Sequence, residues 1–172
     1  KTLYQFVSDK SDLVLKCIQS SCMLDQAKIE AIIEKEVNAI DELFEISYLV
    51  SAKLNQVHPS VFYDIEKYHP EAMQAFESHK NTFIAGTIEA NLQKGIKEGL
   101  YRADLNIPII ARIYLNSIDQ TLHGNLFPDE TYNLAQTYIE LFRYHVRGVA
   151  SEKGLAYLVK KVNTEQLVNP KP

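Results

Sequence analysis

Cysteine is scarce in this sequence of 172 residues, which has only Cys17 and Cys22. Their number excludes a disulfide framework, and their spacing matches no common zinc motif. We therefore expect a reduced, cytoplasmic protein in which both cysteines are small core residues, with a redox sensor as an alternative. No apolar run approaches the roughly 18 to 20 residues of a membrane-spanning helix, so no membrane partner is expected.

Positive charge is also in short supply, because 18 Lys and Arg residues face 22 Asp and Glu residues, for a formal net charge of −4. Binding to the phosphates of a nucleic acid requires clustered Lys and Arg. This charge balance argues against a chain whose main role is to bind nucleic acid. Any contact with DNA is expected from a small local patch or from residues outside this sequence.

The residue patterns of catalysis and metal binding are missing as well. There is no Gly-rich phosphate loop and no Ser or Cys in a nucleophile-type turn, so no enzyme and no cofactor are expected. The histidines form no His-x-x-x-His or Glu-x-x-His pair, so we interpret them as surface or capping groups and expect no metal. They are His58, His69, His79, His123 and His145.

Glycine and proline are few, six of each, and they lie between the periodic segments. Sustained alternation of apolar and polar residues is absent, so the fold class is predicted to be all-α. Helices are predicted from Ser8 or Asp9 to about Val37, from Asn38 to at least Leu54, from Pro59 to about Tyr68, from Pro70 to Gly99, from Ile107 to His123, from near Pro128 to Arg147 or Gly148, and from Glu152 to Val162. Gly99 fits the left-handed residue that ends a helix.

A family resemblance begins in the first residues, Lys-Thr-Leu-Tyr-Gln-Phe-Val-Ser-Asp-Lys-Ser-Asp-Leu. This stretch resembles the end of the helix-turn-helix DNA-binding domain of TetR-type transcriptional regulators, with Val7 in place of the usual Phe. The resemblance implies that Thr2, Tyr4 and Lys10 lie at the DNA and that Tyr4 and Lys10 contact phosphates. The alternative is that Tyr4 is a core tyrosine and Lys10 a solvated charge.

Two weaker resemblances lie further along. Gly95 to Asp104, Gly-Ile-Lys-Glu-Gly-Leu-Tyr-Arg-Ala-Asp, is similar to a turn between two long helices of the TetR sensing domain. Arg147-Gly148, followed by Glu152-Lys153-Gly154-Leu155, is similar to the end of that domain. The resemblance implies that residues 1–12 are a remnant of the DNA-binding domain and residues 13–172 the ligand-binding and dimerisation domain. Because the first helices of the DNA-binding domain and an initiator Met are absent, the chain is expected to be a fragment or to follow a disordered start.

The two helices predicted from Ile107 and from Pro128 carry apolar residues over wide arcs. A helix packed on one side normally shows a single apolar stripe, so each of these helices should bury a second face. Pairing with the same helices of a second copy would give a four-helix interface, as the resemblance also implies. The predicted interface residues are Ile110, Tyr114, Ile118, Tyr138, Phe142, His145 and Val149. The alternative is one larger core within a single chain.

A set of aromatic and apolar side chains from several predicted helices could line a cavity for a small molecule. Its members are Phe44, Tyr48, Phe62, Tyr63, Met73, Phe76, Phe83 and Tyr114. The alternative is that they simply fill the core.

These features together predict a ligand-responsive transcriptional regulator of the TetR type, acting as a repressor. It would bind operator DNA as a homodimer, through residues mostly missing from this sequence, and a small apolar or amphipathic effector would release it. The alternative is a ligand-free helical module for dimerisation and protein interaction.

Overall fold

The computed structural model describes the backbone of residues 7–58, 60–123 and 132–168, and the side chains of these residues except 122, 123 and 162–168. The described residues form eight α-helices and one π-helical segment. They are α1 (Lys10–Ile33), α2 (Ala39–Leu54), α3 (Ser60–Tyr68), α4 (Pro70–His79), the π-helical segment (Lys80–Ile84), α5 (Ala85–Lys97), α6 (Ile107–His123), α7 (Leu134–Val149) and α8 (Glu152–Val168). Within the described ranges the only β pairing is an isolated antiparallel bridge between Tyr101 and Ala150, so the predicted all-α class is confirmed.

Side-chain caps fix the start of three helices. Asp9 accepts a hydrogen bond from the backbone N–H of Asp12 at the start of α1, and Asn38 accepts from Ile40 and Asp41 at the start of α2. Asn133 does the same for α7 by accepting from Gln136. Each cap satisfies a backbone donor that has no partner within its own helix.

Several predicted helix boundaries are wrong. Helix α1 ends at Ile33 instead of Val37, because Glu36 adopts a left-handed backbone with φ 53° and turns the chain towards α2. Helix α7 starts after its extended cap Asn133, whereas the sequence predicted a start near Pro128, which lies outside the described residues. Helix α8 continues to Val168 instead of ending at Val162.

The long helix predicted from Pro70 to Gly99 is also different in the structure. It is interrupted by the π-helical segment, and its α-helical part ends at Lys97. Gly99 takes the predicted left-handed conformation, with φ 72°.

The buried apolar side chains form two clusters. The main core joins α2, α5, α6, α7 and the first half of α8, and it includes Ile40, Phe44, Leu92, Tyr114 and Phe142. The second cluster has Leu54, Ala135 and Tyr138 at its centre, and partly buried residues such as Val50 and Phe62 surround it. Ile118 of α6 packs against both clusters, so the two meet at its level.

None of the helices in the described part of the chain combines the length and the apolar character that crossing a membrane would require.

Candidate functional site

A buried polar network ties α2 to α5. The Asn91 amide donates to the backbone oxygen of Ala39 at 2.9 Å and to the Glu42 carboxylate at 2.8 Å. Lys94 completes the network through an ion pair of 2.6 Å with Glu42. The Tyr101 hydroxyl donates to the Asn91 side-chain oxygen at 3.0 Å. Burial, and to a smaller extent the nearby negative charge of Glu42, raises the pKa of Tyr101. Because these buried groups have partners, the network fixes how α2 packs on α5.

The turn after α5 packs on the junction between α7 and α8. Arg102 donates its backbone N–H to Val149, and Ser151 donates to Leu100, both at 2.9 Å. Gly154 lies so close that a Cβ atom there would be 2.0 Å from the Leu100 carbonyl oxygen. The two stretches that carried the weaker family resemblances are therefore one structural unit, in which glycine allows the close approach.

Close packing explains a second glycine of the same unit. A Cβ atom at Gly95 would come within 2.0 Å of the Tyr101 ring, which is 2% exposed. Gly95 therefore makes room for the ring that closes the polar network between α2 and α5.

Two buried tyrosines, Tyr114 of α6 and Tyr138 of α7, and the half-buried His145 of α7 have polar atoms in the interior of the bundle. The His145 ring stacks on the Tyr114 ring with centroids 3.7 Å apart. Burial lowers the pKa of His145 to about 4 and raises the pKa of Tyr114 to about 12. Burial also raises the pKa of Tyr138. All three groups are therefore uncharged near neutral pH.

The π-helical segment contains a buried lysine. Lys80 is 6% exposed, and its ammonium lies 2.6 Å from Glu77 on α4 and 2.7 Å from Asp119 on α6. Burial alone would lower the pKa of Lys80, but the hydrogen bonds and charges of the two carboxylates outweigh it and raise the pKa. Lys80 therefore ties the π-helical segment to α6 as a charged group.

Helices α6 and α7 each carry large side chains that are exposed in the single chain. Ile109 and Ile113 of α6 are 54% and 58% exposed, and Tyr144 of α7 is 81% exposed. Arg112 and Arg143, next to Ile113 and Tyr144 in the sequence, are exposed as well. We call Ile109, Ile113 and Tyr144 the outward face.

The predicted interface residues divide into two groups in this fold. Tyr114, Tyr138, Phe142 and Val149 are at most 4% exposed in the single chain, so they belong to its interior and cannot form an outward surface. Ile110 and Ile118 are partly buried against the core, and His145 is partly buried on Tyr114. The wide apolar arcs of α6 and α7 are explained for the four buried residues by packing within the chain, of α6 on α5 and of α7 on α2. This is the alternative of one larger core that the sequence left open.

The predicted ligand-lining set does not converge on one point. Phe44 and Tyr114 belong to the main core, and Phe62 packs on the second cluster. Phe83 stacks on His79 with ring centroids 5.3 Å apart. Phe83 is partly buried, and so are two further members of the set, Met73 and Phe76.

The two remaining members of the ligand-lining set lie largely at the surface. Tyr48 is 51% exposed and keeps an edge contact with Phe44. Tyr63 is 57% exposed, and its hydroxyl accepts a hydrogen bond from Lys67. These surroundings place Tyr63 outside any enclosed space.

The structure describes one of the three predicted DNA-contacting residues. Lys10 is exposed as the first residue of α1, whereas Thr2 and Tyr4 lie outside the described residues. Ser8 donates its backbone N–H to the Asp12 carboxylate at 2.8 Å, and Asp9 accepts from the Asp12 N–H. These donors at the start of α1 are thus used within the chain. The boundary predicted after residue 12 falls inside α1.

A cleft of about 440 Å³ opens between the starts of α1 and α4. Its lining is mostly polar and includes Asp9, Asp12, His69 and Glu71, and Ser11 Oγ lies 3.1 Å from His69 Nδ1. An acidic lining of this kind does not suit an apolar molecule or a phosphate. Among residues 7–58, 60–123 and 132–168, His, Cys, Asp and Glu form no group of three or more that could hold a metal ion.

The sequence analysis missed Ser47, Lys80 and Asn91, which are all at most 6% exposed. A usable signal existed for each of them. Asn91 directly precedes Leu92 in the apolar stripe of α5, Lys80 fills the gap between Phe76 and Phe83, and Ser47 lies three residues after Phe44. A polar residue at an inward position of an amphipathic helix indicates a buried polar contact.

Comparison with known proteins gives a similarity at the level of the fold. The sequence matches no known protein family and no curated protein. Among solved structures, the chain is similar to the transcriptional regulator FadR from Bacillus subtilis, which was crystallised in complex with stearoyl-CoA. The TM-score is 0.60 at 16% sequence identity, over 86% of this chain and 81% of the FadR chain. This likeness shows a shared fold.

Proposed function

We propose that this chain is the ligand-sensing and dimerisation part of a TetR-type transcriptional regulator that acts as a repressor in the cytoplasm. The observation that carries the proposal is the fold similarity to FadR, a transcriptional regulator, over 86% of the chain. The Thr-Leu-Tyr stretch before α1 resembles the end of a TetR-type DNA-binding domain and supports the same conclusion. Residues 1–12 would then belong to the DNA-binding domain and residues 13–172 to the sensing domain.

The outward face supports dimerisation. Ile109, Ile113 and Tyr144 are large apolar side chains on two neighbouring helices, and each is more than half exposed in the single chain. Exposed apolar residues that together form a patch mark interaction sites. Pairing α6 and α7 with their copies in a second chain would cover it in a four-helix arrangement, with Arg112 and Arg143 at the rim. The interface would thus use the outward face in place of Tyr114, Tyr138 and Phe142.

The packing of the helices supports coupling between sensing and DNA binding. Helix α1 begins six residues after Tyr4 in the sequence, and it packs mainly against α4. Helix α4 continues through the π-helical segment into α5, which packs on α2 and α6 in the core. A change in the core would therefore reach α1 through one continuous stretch of helix. Because two recognition helices must match half-sites about 34 to 36 Å apart, a small movement of α1 would weaken DNA binding.

The effector is proposed to be a small apolar or amphipathic molecule bound among α2, α3, α6 and α7. The second cluster is much smaller than the main core, with three buried members and partly buried residues around them. Helix α3 has no fully buried residue. Such a region can open for a ligand at lower cost than the main core. The FadR structure contains stearoyl-CoA, which provides a first compound to test.

The test uses the protein in its natural full-length form. Its preferred DNA is selected from random duplexes, and binding is then measured by fluorescence anisotropy with increasing stearoyl-CoA. We expect a two-fold symmetric binding sequence and release of the DNA by the ligand. Binding without sequence preference would contradict the regulator assignment. Specific binding that no amphiphile weakens would contradict the sensing role.

A further inference from the structure

Helices α1 and α4 lie outside the apolar interior of the bundle. Among the described residues, neither helix contributes a member to either of the two apolar clusters, and their own buried apolar residues are Ile29, Ile32 and Ala72. Helix α1 packs mainly on α4, and α4 also packs on α3 and on the π-helical segment. We call α1 and α4 together the α1–α4 unit. The position of this unit depends on its connections to the other helices.

The π-helical segment is the covalent connection from α4 to the core. It begins at Lys80, whose carbonyl oxygen accepts from the backbone N–H of Ala85, five residues later. The Thr82 hydroxyl donates to the carbonyl oxygen of Ser78 at 2.8 Å. A π-helical turn is one of the few places where a long helix bends sharply. The backbone therefore holds α4 against α5 less firmly here than an unbroken α-helix would.

Lys80 supplies a further support at this turn. Its ammonium lies 2.7 Å from Asp119 of α6 and 2.6 Å from Glu77 of α4, and Lys80 is 6% exposed. Separating a buried ion pair is costly, because it leaves a charge uncompensated. Helix α6 therefore cannot slide past the π-helical segment without a large loss of stability. Glu77 lies only three residues before Lys80 on the same helical stretch, so the cross-link to another helix is the pair with Asp119.

Another ion pair connects the α1–α4 unit to the core at the surface. Lys53 of α2 pairs with Asp25 of α1, and both side chains are more exposed than that of Lys80. Exposed ion pairs contribute little, because water and salt screen them. The buried pair of Lys80 and Asp119 is therefore the stronger of these two polar connections.

We infer that the Lys80–Asp119 ion pair couples α6 to the α1–α4 unit, so that a displacement of α6 is transmitted to α1. Helix α6 carries Ile109 and Ile113 of the outward face, so its position depends on how two chains pair. The inference rests on the proposed function and names the residues through which sensing is passed to the DNA-binding end. Lys80 and Asp119 act as positioning residues.

The experiment measures the distance between the α1–α4 unit and the core by pulsed electron paramagnetic resonance. It uses the natural full-length protein without ligand or DNA, with all native cysteines, including Cys17 and Cys22, replaced by serine. Spin labels are attached at Gln19→Cys of α1 and Gln93→Cys of α5, which are exposed positions. A second pair of labels, at Gln93→Cys and Gln136→Cys of α7, measures a reference distance within the core. An excess of unlabelled chains suppresses distances between copies.

Two variants separate the cross-link from charge balance. Asp119→Ala removes the link to α6 and leaves Lys80 paired with Glu77, whereas Glu77→Ala, the matched control, keeps the link. We expect Asp119→Ala to broaden or shift the distance distribution between α1 and α5, and Glu77→Ala to leave it unchanged. The reference distance should stay the same in both variants. Asp119→Asn and Glu77→Gln repeat the comparison with side chains of the same shape, in case an alanine variant does not fold.

A role limited to neutralising Lys80 would affect both variants alike, because each removes one of its two carboxylates. Equal changes in the two variants would therefore overturn the inference. An unchanged distribution between α1 and α5 in the Asp119 variants would overturn it as well.

The same variants test the link to DNA binding in the full-length protein. Stearoyl-CoA should weaken DNA binding by Asp119→Ala about two- to thirtyfold less than binding by the natural protein, the range expected for residues that carry coupling. Glu77→Ala should respond like the natural protein, and an equal response of Asp119→Ala would contradict transmission through this pair. A natural protein without specific DNA binding would contradict the proposed function instead. The distance measurement would still decide the inference, because it needs neither DNA nor ligand.

Discussion

His145 is a titratable group that the fold keeps uncharged. Its folded-state pKa of about 4 lies below the value of 6.5 for an ordinary histidine, because burial disfavours the imidazolium. Between these two values the unfolded chain binds more protons than the folded chain. The free energy of unfolding must therefore fall as the pH is lowered from about 6.5 to about 4.

The size of this effect can be measured by urea denaturation between pH 4 and pH 8. His145→Phe keeps a ring against Tyr114 but has no group to protonate. Between pH 6.5 and pH 4, we expect the free energy of unfolding of this variant to fall by roughly 2 to 3 kcal/mol less than that of the natural protein. The Asp and Glu side chains titrate in both proteins, so their contribution to the pH dependence cancels in the difference. Parallel stability curves would show that His145 has the same pKa in the folded and the unfolded chain and would contradict this prediction.

Single residues also show the limit of what the sequence could predict. The caps Asp9 and Asn38 and the left-handed Gly99 are local features, and each was predicted because its partners lie within a few residues. Contacts between distant residues were not predictable in this way. Lys80 pairs with Asp119 from another helix, and Ser47 is recognisable as unsatisfied only when everything around it is placed.

At the scale of elements, the junction between the α5–α6 turn and α8 depends on the absence of a side chain at Gly154. An added Cβ would lie 2.0 Å from a backbone oxygen, which cannot swing aside as a side chain could. We expect Gly154→Ala to destabilise the protein by about 2 kcal/mol or more. Thermal and urea denaturation give the measurement.

Gly86→Ala in α5 is the matched control for this prediction. No atom lies within 4 Å of a Cβ placed at Gly86, so alanine should raise the free energy of unfolding by about 0.5 to 1 kcal/mol through its higher helix propensity. Equal effects of the two substitutions would mean that the junction does not need the close approach.

Among the elements themselves, helix identity and order were predictable and the surroundings of each helix were not. The periodicity of apolar residues showed that α6 and α7 bury wide arcs. It could not show whether a given side is covered by the same chain or by a copy of it. This is why Phe142 and Val149 were predicted at a dimer interface, whereas the structure places them in the chain's own core.

At the scale of the whole molecule, the outward face makes a prediction about assembly. We expect the natural protein to be a dimer in solution, and Ile113→Glu to be a monomer, because it places a charge in the apolar centre of the proposed interface. Light scattering coupled to size-exclusion chromatography gives the mass. Leu24→Glu makes the same kind of change at an exposed apolar position of α1 and should remain a dimer. A monomeric natural protein would contradict the proposed assembly.

The π-helical segment between α4 and α5 has a consequence for how this molecule can vary in evolution. A wide turn of this kind holds one residue more than a regular turn, while the helical stretches on either side keep their alignment. Loss of the exposed Asn81 would restore regular winding without rotating α4 against α1 or α5 against α6. Elsewhere in these helices a one-residue deletion would turn every following side chain by about 100°. Natural variation in helix length should therefore concentrate at this single turn.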